Sequence, residues 1–351
     1  MFSTVNPTSN APSAAPRVPP TSDWKGIVAR YQGADVLRSL FQLISTLALL
    51  VATLWVMQWA MGRHTWVIVV LALPAAGLFV RTFIIMHDCA HGSFLPWPKV
   101  NDAVGFLTGV LTLTPFYQWR RDHALHHASS GDLDRRGYGD ILTLTVSEYL
   151  SRTSWGRLRY RVFRSPAFLL GVGPLQMIVL QRLPRKDEKA VKGRQIASVW
   201  STNVAIAGLV TTFILLLGFK SVVFVWLPIF YIAAAAGILL FYLQHQFEDA
   251  YWEQHKNWDY AEAAVMGSSY FRLPAVLQWF TGNIGLHHVH HLGPRIPNYR
   301  LQKAHDENPL FHAAPVMTMR ETWRCFRLTL WDEQQRRLVR FRDVRDRLGS
   351  R

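Results

Sequence analysis

The sequence predicts an all-α integral membrane protein with four transmembrane helices. Charged residues make up only 17% of the 351 residues, and apolar residues make up 50%. A soluble domain usually carries about 25% charged residues. Three runs, 39–62, 195–219 and 221–247, contain no Asp, Glu, Lys or Arg. Each of them exceeds the roughly 20 residues that a helix needs to cross a bilayer.

The four helices are predicted at about 39–61, 65–86, 198–218 and 221–243. The second begins in a shorter uncharged run and reaches residue 86 if the Arg81 side chain snorkels toward the lipid head groups. Two further apolar stretches, 103–119 and 165–181, contain Gly and Pro and are predicted as re-entrant or interfacial segments. The 17 residues of 103–119 would span only about 26 Å, less than the hydrocarbon thickness of about 30 Å.

The net charge of +15 is distributed unevenly along the chain. The segment 119–194 holds 15 Lys or Arg against 7 Asp or Glu, and 244–351 holds another 15 basic residues. The turns inside the two helix pairs hold only Arg63 and Lys220. The positive-inside rule therefore places both long basic segments in the cytoplasm. This pattern predicts a multi-pass protein of the cell membrane and argues against nucleic-acid binding.

Three regions are predicted along the chain. Residues 1–37 form a disordered N-terminal tail and a pre-membrane segment, because the first 22 residues are rich in Pro, Ser, Ala and Thr. Residues 38–315 form one domain with all four membrane helices. Residues 316–351 form a basic cytosolic C-terminal tail, predicted to be helical. Two cysteines, Cys89 and Cys325, give no disulfide framework.

Histidines occur in three clusters: HDCAH at 87–91, HALHH at 123–127 and HHVHH at 287–291. Positions three and four apart share one face of a helix, so HxxxH presents two imidazoles to a common point and HxxHH presents three. One HxxHH is expected only about 0.02 times in a chain with this histidine content, so two of them indicate function. His245 directly follows the fourth predicted helix, as His87 follows the second.

This set of histidines predicts a site for two metal ions. Imidazole ligands suit Zn, Cu, Fe and Ni. A structural zinc site takes four ligands, typically including Cys, whereas eight or nine imidazoles are available here without a cysteine pair. The motif HExxH of zinc metalloproteases is absent, and no Glu lies three residues before a His, which argues against a carboxylate-bridged di-iron bundle.

The three clusters resemble the histidine boxes of the membrane fatty acid desaturases. HDCAHGS at 87–93 carries the first box. Other stretches resemble the bacterial acyl-lipid type of that family: QHQFED at 244–249, GSSY at 267–270, WFTGN at 279–283, and the segments 131–140 and 294–299. The resemblance covers roughly residues 38–309.

The resemblance implies a cytosolic helical cap above four membrane helices, with a histidine-coordinated di-iron centre in the cap. It implies an O2-dependent enzyme of the bacterial inner membrane that introduces a cis double bond into an acyl chain of a membrane lipid. An external ferredoxin-like or cytochrome b5-like donor would supply the electrons. The metal ligands that the resemblance implies are His87, His91, His123, His126, His127, His245, His287, His290 and His291.

Three residues are candidates to support these ligands. Ligating histidines usually donate their second ring N–H to a carboxylate or a carbonyl. Asp88 and Asp122 each adjoin a box histidine, although helix capping or a surface ion pair is an alternative for both. Asn283, four residues before His287, is a candidate for the asparagine that acts through water in acyl-CoA relatives. His288 is expected to face away from the metals. Four histidines are expected to be ordinary surface or loop residues: His64, His255, His305 and His312.

Two other functions are compatible with parts of this pattern. A histidine-box hydroxylase or oxidase that acts on an alkane, a carotenoid or a related lipid would have a similar iron site, but its product would be an alcohol. A metal-binding transporter would carry paired polar residues within its spans, and the four predicted helices have no clear pairs. The sequence does not fix the position of the double bond (Δ5, Δ9, Δ12 or ω-3), the carrier of the acyl chain or the donor.

Overall fold

The structure is a computed structural model that describes residues 23–137, 141–185 and 193–344. In chain order its first eight helices are α1 Trp24–Ala29, α2 Val36–Ala60, α3 Thr65–His91, α4 Pro98–Leu111, α5 Phe116–Ser129, α6 Val146–Ser151, α7 Ser154–Phe163 and α8 Gly173–Leu180. The other eight are α9 Gly193–Leu217, α10 Phe219–Ser221, α11 Leu227–His245, α12 Tyr260–Met266, α13 Ala275–Phe280, α14 His287–Leu292, α15 Leu301–Glu307 and α16 Thr322–Cys325. The five strands are β1 Leu144–Thr145, β2 Tyr270–Arg272, β3 Val316–Thr318, β4 Leu330–Asp332 and β5 Arg337–Val339.

Four of these helices are long and apolar enough to cross a membrane. They are α2, α3, α9 and the continuous helix Phe219–His245, in which a π-helical turn joins α10 to α11. The four predicted membrane helices are therefore confirmed. Between 17% and 44% of the most apolar stretch of each helix is buried within the protein. The rest leaves broad apolar faces for lipid. The largest share belongs to α3, because α2, α4 and α11 all pack against it.

Helix α3 continues past its predicted end at residue 86 to His91, and the next residue, Gly92, adopts a left-handed conformation with φ 68°. The Arg81 side chain does not snorkel to the head groups, so that prediction is wrong. Its Nε donates to Thr46 Oγ1 at 3.1 Å, and its guanidinium lies 4.1 Å from the centre of the Trp279 ring. Protein groups from α2 and α13 thus take the place of head groups around this cation.

The stretch 103–119 forms the end of α4 and the start of α5, and neither helix is long enough to cross a membrane. Its glycines allow a close approach within this helix pair. A Cβ added at Gly105 would overlap the Phe116 ring, and one added at Gly109 would lie 2.6 Å from the Thr114 carbonyl oxygen. A larger residue at Gly105 would therefore displace the Phe116 ring at the start of α5, which carries the second histidine box, and one at Gly109 would displace the loop between the two helices.

Helices α12, α14 and α15 pack together with α1 to form a cap. They share an apolar core with Val28, Val289, Leu301 and Phe311 among its buried members. Two small sheets complete the cap: β4 pairs in parallel with β1 and antiparallel with β5, and β2 pairs in parallel with β3. The cap is thus mostly helical, as the predicted fold class requires.

The C-terminal region is not the helical tail that was predicted. Its described part, residues 316–344, contains β3, β4 and β5 but only two short helical segments, α16 and a 3-10 turn at Phe341–Val344. Trp331 and Leu338 are buried in the cap. Of the arginines in this part only Arg337 lies in a strand, and the others lie in turns, loops or short helical segments, so the arginine spacing does not report the secondary structure here. The predicted disorder of residues 1–22 lies outside the described residues.

Candidate metal centre

Each histidine box lies on a helix, as its spacing predicts. The first box forms the last turns of α3, the second lies on α5, and the third makes up most of α14. His245 is the last residue of α11. His87 and His245 were predicted to follow their helices, but both helices continue through them. Backbone hydrogen bonds therefore fix the positions of these rings.

Eight histidines form two groups, in each of which one ring nitrogen per residue lies within 4.8 Å of the others. We call these groups site A and site B. Site A consists of His87, His91, His123 and His290. Site B consists of His126, His245, His287 and His291.

Each HxxHH box contributes to both sites, so the prediction that a box presents all three imidazoles to one point is wrong. His287 and His291 belong to site B, whereas His290 belongs to site A. On a helix, positions four apart differ in direction by about 40°, but adjacent positions differ by about 100°. Helices α5 and α14 therefore each bridge the two sites.

His127 lies beside site A as its fifth histidine. Its Nε2 is 3.1 Å from His123 Nε2 and 3.0 Å from His290 Nε2. Its ring also stacks on His291 of site B, with the ring centres 4.2 Å apart. His127 thus lies between the two sites, and the structure brings together all nine predicted ligands.

The distances between ring nitrogens fit a metal ion. His87 Nε2 lies 3.0 Å from His290 Nε2, and His287 Nε2 lies 3.0 Å from both His245 Nε2 and His291 Nε2. Two imidazole nitrogens bound at about 2.1 Å to one ion and at right angles would be about 3.0 Å apart. The spacing is therefore that of neighbouring ligands of one ion.

The orientation of two rings also fits metal binding. His87 Nδ1 lies 3.1 Å from Asp88 Oδ1, and His245 Nδ1 lies 3.0 Å from the carbonyl oxygen of Gly267. Both partners are acceptors and require a proton on Nδ1. The lone pair is then on Nε2, the atom that faces the rest of its site.

Burial keeps five of the clustered imidazoles neutral. Their pKa values lie well below the usual range, because desolvation disfavours the charged form and the neighbouring imidazoles add a smaller effect in the same direction. These residues are His123, His127, His287, His290 and His291. Neutral rings offer the lone pair that a metal ion requires.

One buried ring atom gives a further test of fit. His91 Nε2 is buried and has no hydrogen-bond partner among the described residues. A buried polar atom without a partner costs about 1–3 kcal/mol, and an ion at site A would satisfy it. Since the donors of both sites are imidazoles, the set suits Fe, Cu, Zn or Ni.

Asp88 supports His87 through a chain of buried hydrogen bonds. Asp88 Oδ2 accepts from the backbone N–H and from the side-chain Nδ2 of Asn298, both at 2.8 Å. Asn298 Oδ1 in turn accepts from Gln42 Nε2 at 3.0 Å. Sequence reasoning singled out Asp88 but missed Asn298 and Gln42, because nothing in their spacing connects them with a histidine box.

Asp122 and Asn283 do not support a ligand in this way. Asp122 pairs instead with Arg185, at 3.0 Å, and with Arg121, at 3.5 Å. The Asn283 side chain donates to the carbonyl oxygen of Asn298 at 3.0 Å. Asp122 thus follows the ion-pair alternative, and Asn283 stabilises the turn before the third box.

His288 faces away from both sites, as expected for a residue between ligand positions. Its Nε2 lies 3.0 Å from His305 Nδ1, and burial, with a smaller effect from His305, lowers its pKa to about 3. His305 is thus the partner of a buried ring and not an isolated surface residue. His255, by contrast, pairs with Asp132 at 2.8 Å away from the sites.

Two aromatic rings that sequence reasoning missed cover the sites. Trp119 stacks on His123 with the ring centres 4.3 Å apart. Phe241 lies 5.1 Å from the His126 ring and 5.3 Å from the His245 ring. Trp119 and Phe241 each precede a site histidine by four residues on the same helix, and that spacing is the signal that could have identified them. Their rings exclude water from one side of each site.

The sequence of the chain is similar to those of known proteins. The sequence model of the family described as Fatty acid desaturase matches residues 64–323. The chain is 39% identical over 318 residues to a "Fatty acid desaturase" of Bacillus subtilis (strain 168), and the match covers 91% of this chain and 90% of the relative.

Two further relatives are more distant. One is an "sn-1 oleoyl-lipid 12-desaturase" of Anabaena variabilis, 28% identical over 70% of each chain. The other is an "sn-1 acyl-lipid omega-3 desaturase (ferredoxin)" of Synechocystis sp., 26% identical over 72% of this chain and 71% of the relative. The match to the family model and the similarity along nearly the whole Bacillus relative agree with the histidine boxes and the membrane helices. The chain therefore belongs to the fatty acid desaturase family, and it is an oxidoreductase of lipid metabolism.

Proposed function

We propose that the protein is an O2-dependent acyl-lipid desaturase that introduces a cis double bond into an acyl chain of a membrane lipid. The observation that carries this proposal is the pair of adjacent sites built from imidazoles at the ends of two membrane helices, α3 and α11, and on α5 and α14. A pair of irons fits these donors. Because His87, His91 and His245 lie at the ends of membrane helices, we infer that an acyl chain reaches the pair from the bilayer.

The nine predicted ligands divide between the two irons. Five histidines would hold one iron at site A: His87, His91, His123, His127 and His290. Four would hold the other at site B: His126, His245, His287 and His291. When bound, the iron pair supplies the oxidising chemistry that an unactivated methylene requires, since such a C–H bond has no acidity for a general base. In total, two hydrogens leave the acyl chain, two electrons and two protons enter, and O2 becomes two waters.

The protein's own residues position the ligands and the chain. Asp88 and the Gly267 carbonyl hold the rings of His87 and His245 in one tautomer. Trp119 and Phe241 keep water from the rings that they cover. A fixed position of the acyl chain matters because a shift of one methylene changes the product.

The names of the relatives support the substrate and the donor. The Anabaena and Synechocystis relatives are named as oleoyl-lipid and acyl-lipid desaturases, and the Synechocystis name includes ferredoxin. We infer that the substrate is a lipid-linked acyl chain and that the donor is a separate ferredoxin-like or cytochrome b5-like protein. The long basic segments of the chain suit an acidic donor.

Expression in a bacterium that makes only saturated and monounsaturated lipids tests this function. We expect new cis double bonds in intact membrane lipids, located by mass spectrometry of the acyl chains. Purified enzyme with a reduced ferredoxin should act on phospholipid vesicles. Hydroxylated acyl chains in place of alkenes, or turnover of acyl-CoA without turnover of phospholipid, would contradict the proposal.

We also propose that the enzyme lies in the bacterial inner membrane with its centre on the cytoplasmic side. A single Cys placed at the exposed residues Ser151 or Lys256 should react with an impermeant thiol reagent only after the cells are opened. A Cys at the exposed residues His64 or Lys220 should react in intact cells. The native Cys89 and Cys325 are buried and provide a low background. Labelling of Ser151→Cys in intact cells would exclude this topology.

A further inference from the structure

Helix α7 has an apolar face that the protein leaves uncovered. Trp155, Leu158 and Val162 lie on one face, with exposed fractions of 66%, 49% and 51%. On the other side of the helix Tyr160 is buried, and its hydroxyl donates to the Thr329 carbonyl oxygen at 2.6 Å. The cap therefore holds α7 by one side and presents the apolar side outward, where exposure to water would be unfavourable.

The next segment continues this apolar surface along a membrane helix. A π-helical turn, Phe168–Val172, leads into α8, and together they bend by 57° from α7. The Tyr231 hydroxyl of α11 donates to the Leu170 carbonyl oxygen at 2.9 Å, so this segment lies along a membrane-spanning helix. The outer side of α8 is apolar and exposed at Leu175, Val179 and Leu180. The apolar face of α7 is thus continuous in the chain with an apolar surface that lies along α11.

A groove of about 600 Å³ lies in the angle between the two helices. Its walls include Trp155, Leu158, Phe163 and Phe168, with Gln176 of α8 at one side. Most of the side chains that line the groove are apolar, as an acyl chain requires, and the groove reaches α8 at Gln176.

Two arginines at this groove are free to bind an anion. Arg152 and Arg159 line it, are exposed, and have no carboxylate at ion-pair distance among the described residues. The neighbouring arginines are already engaged: Arg157 donates to the carbonyl oxygens of Leu150 and Arg152, and Arg161 donates to the Tyr149 hydroxyl. Arg152 and Arg159 are therefore the arginines of this region whose side chains can bind an anionic ligand.

We propose that this groove binds an anionic phospholipid of the cytoplasmic leaflet, with an acyl chain against the apolar walls and the phosphate on Arg152 and Arg159. A basic helix with one apolar face and a Trp lies in the membrane interface. The continuity of the groove with α8 supplies the lipid, and the two arginines select its charge. This binding site is separate from the metal centre, and it rests on the proposed topology but not on the proposed desaturation.

The test uses the full chain in lipid nanodiscs, labelled with a fluorophore at Gln176→Cys. Nitroxide-labelled phosphatidylglycerol should quench this fluorophore at a concentration about tenfold lower than nitroxide-labelled phosphatidylcholine. The double variant Arg152→Gln/Arg159→Gln should lose this preference, whereas Arg152→Lys/Arg159→Lys should keep most of it. Leu158→Gln should weaken quenching by both lipids.

The matched control is Lys256→Gln/Arg295→Gln, which removes two exposed positive charges elsewhere on the cap and should keep the preference. Thermal unfolding of each variant checks that the fold is retained. The proposal fails if the two lipids quench equally in the parent protein, or if the Arg152→Gln/Arg159→Gln protein keeps the preference. It also fails if inorganic phosphate alone removes the preference, since the groove would then be a simple anion site.

Discussion

If the proposed di-iron centre is correct, replacement of His290 with Ala is expected to abolish desaturation and to remove the iron of site A. His290 Nε2 lies 3.0 Å from the Nε2 atoms of both His87 and His127, so its loss opens the centre of that site. Loss of a residue that merely supports a ligand costs about 10–100-fold in metal affinity or activity, and loss of a ligand should exceed that range. Iron per protein by elemental analysis and double bonds by mass spectrometry measure the two effects.

His126→Ala should give the matching result for site B, and His288→Ala is the internal control. His288 lies on the same helix as His290 but faces His305, so its variant should retain both irons. Its thermal stability should fall, because His305 Nδ1 loses its hydrogen-bond partner, at a cost of about 1–3 kcal/mol. Equal iron loss in His288→Ala and His290→Ala would show that the two faces of α14 have been assigned wrongly.

The four membrane helices could be predicted because a helix that crosses a bilayer must be an uncharged, apolar run of sufficient length. That requirement can be checked directly in the sequence. The family and all nine clustered histidines could also be predicted, since HxxHH is a local pattern in the sequence. The ends of the helices were harder to predict. Because α3 and α11 continue into the cap, composition alone marks the membrane boundary and not the end of the helix.

The division of the histidines between two sites could not be predicted from the sequence. It depends on how α5 and α14 are rotated relative to α3 and α11, and that rotation is set by packing between segments far apart in the chain. The hydrogen bonds from Asn298 to Asp88 also join residues that are 210 positions apart, so they could not be predicted from local sequence either. Local patterns therefore identify the candidate ligands, whereas tertiary contacts decide which of them lie close enough to share an ion and which residues hold them.

Asp88→Asn is expected to lower the affinity of site A for iron by about 10–100-fold, with a parallel loss of activity at limiting iron. In the native chain one carboxylate oxygen accepts from His87 Nδ1, and the other accepts two hydrogen bonds from Asn298. An asparagine has only one acceptor oxygen, so in either orientation its NH2 group faces a donor. Either His87 loses the partner that fixes its tautomer, or the buried N–H groups of Asn298 lose theirs.

Iron titration of the purified variants measures this effect, and the chain offers a matched control in Asp122→Asn. Asp122 also adjoins a box histidine, but it pairs with Arg121 and Arg185, so its variant should bind iron as the parent does. Asn298→Ala removes one of the two bonds to Asp88 Oδ2 and keeps the backbone N–H, so we expect a smaller loss in the same direction. With saturating iron, Asp88→Asn should recover part of its activity, because its ligands remain in place. Unchanged iron affinity in Asp88→Asn, or an equal loss in Asp122→Asn, would mean that the Asp88 carboxylate does not hold His87 for the metal.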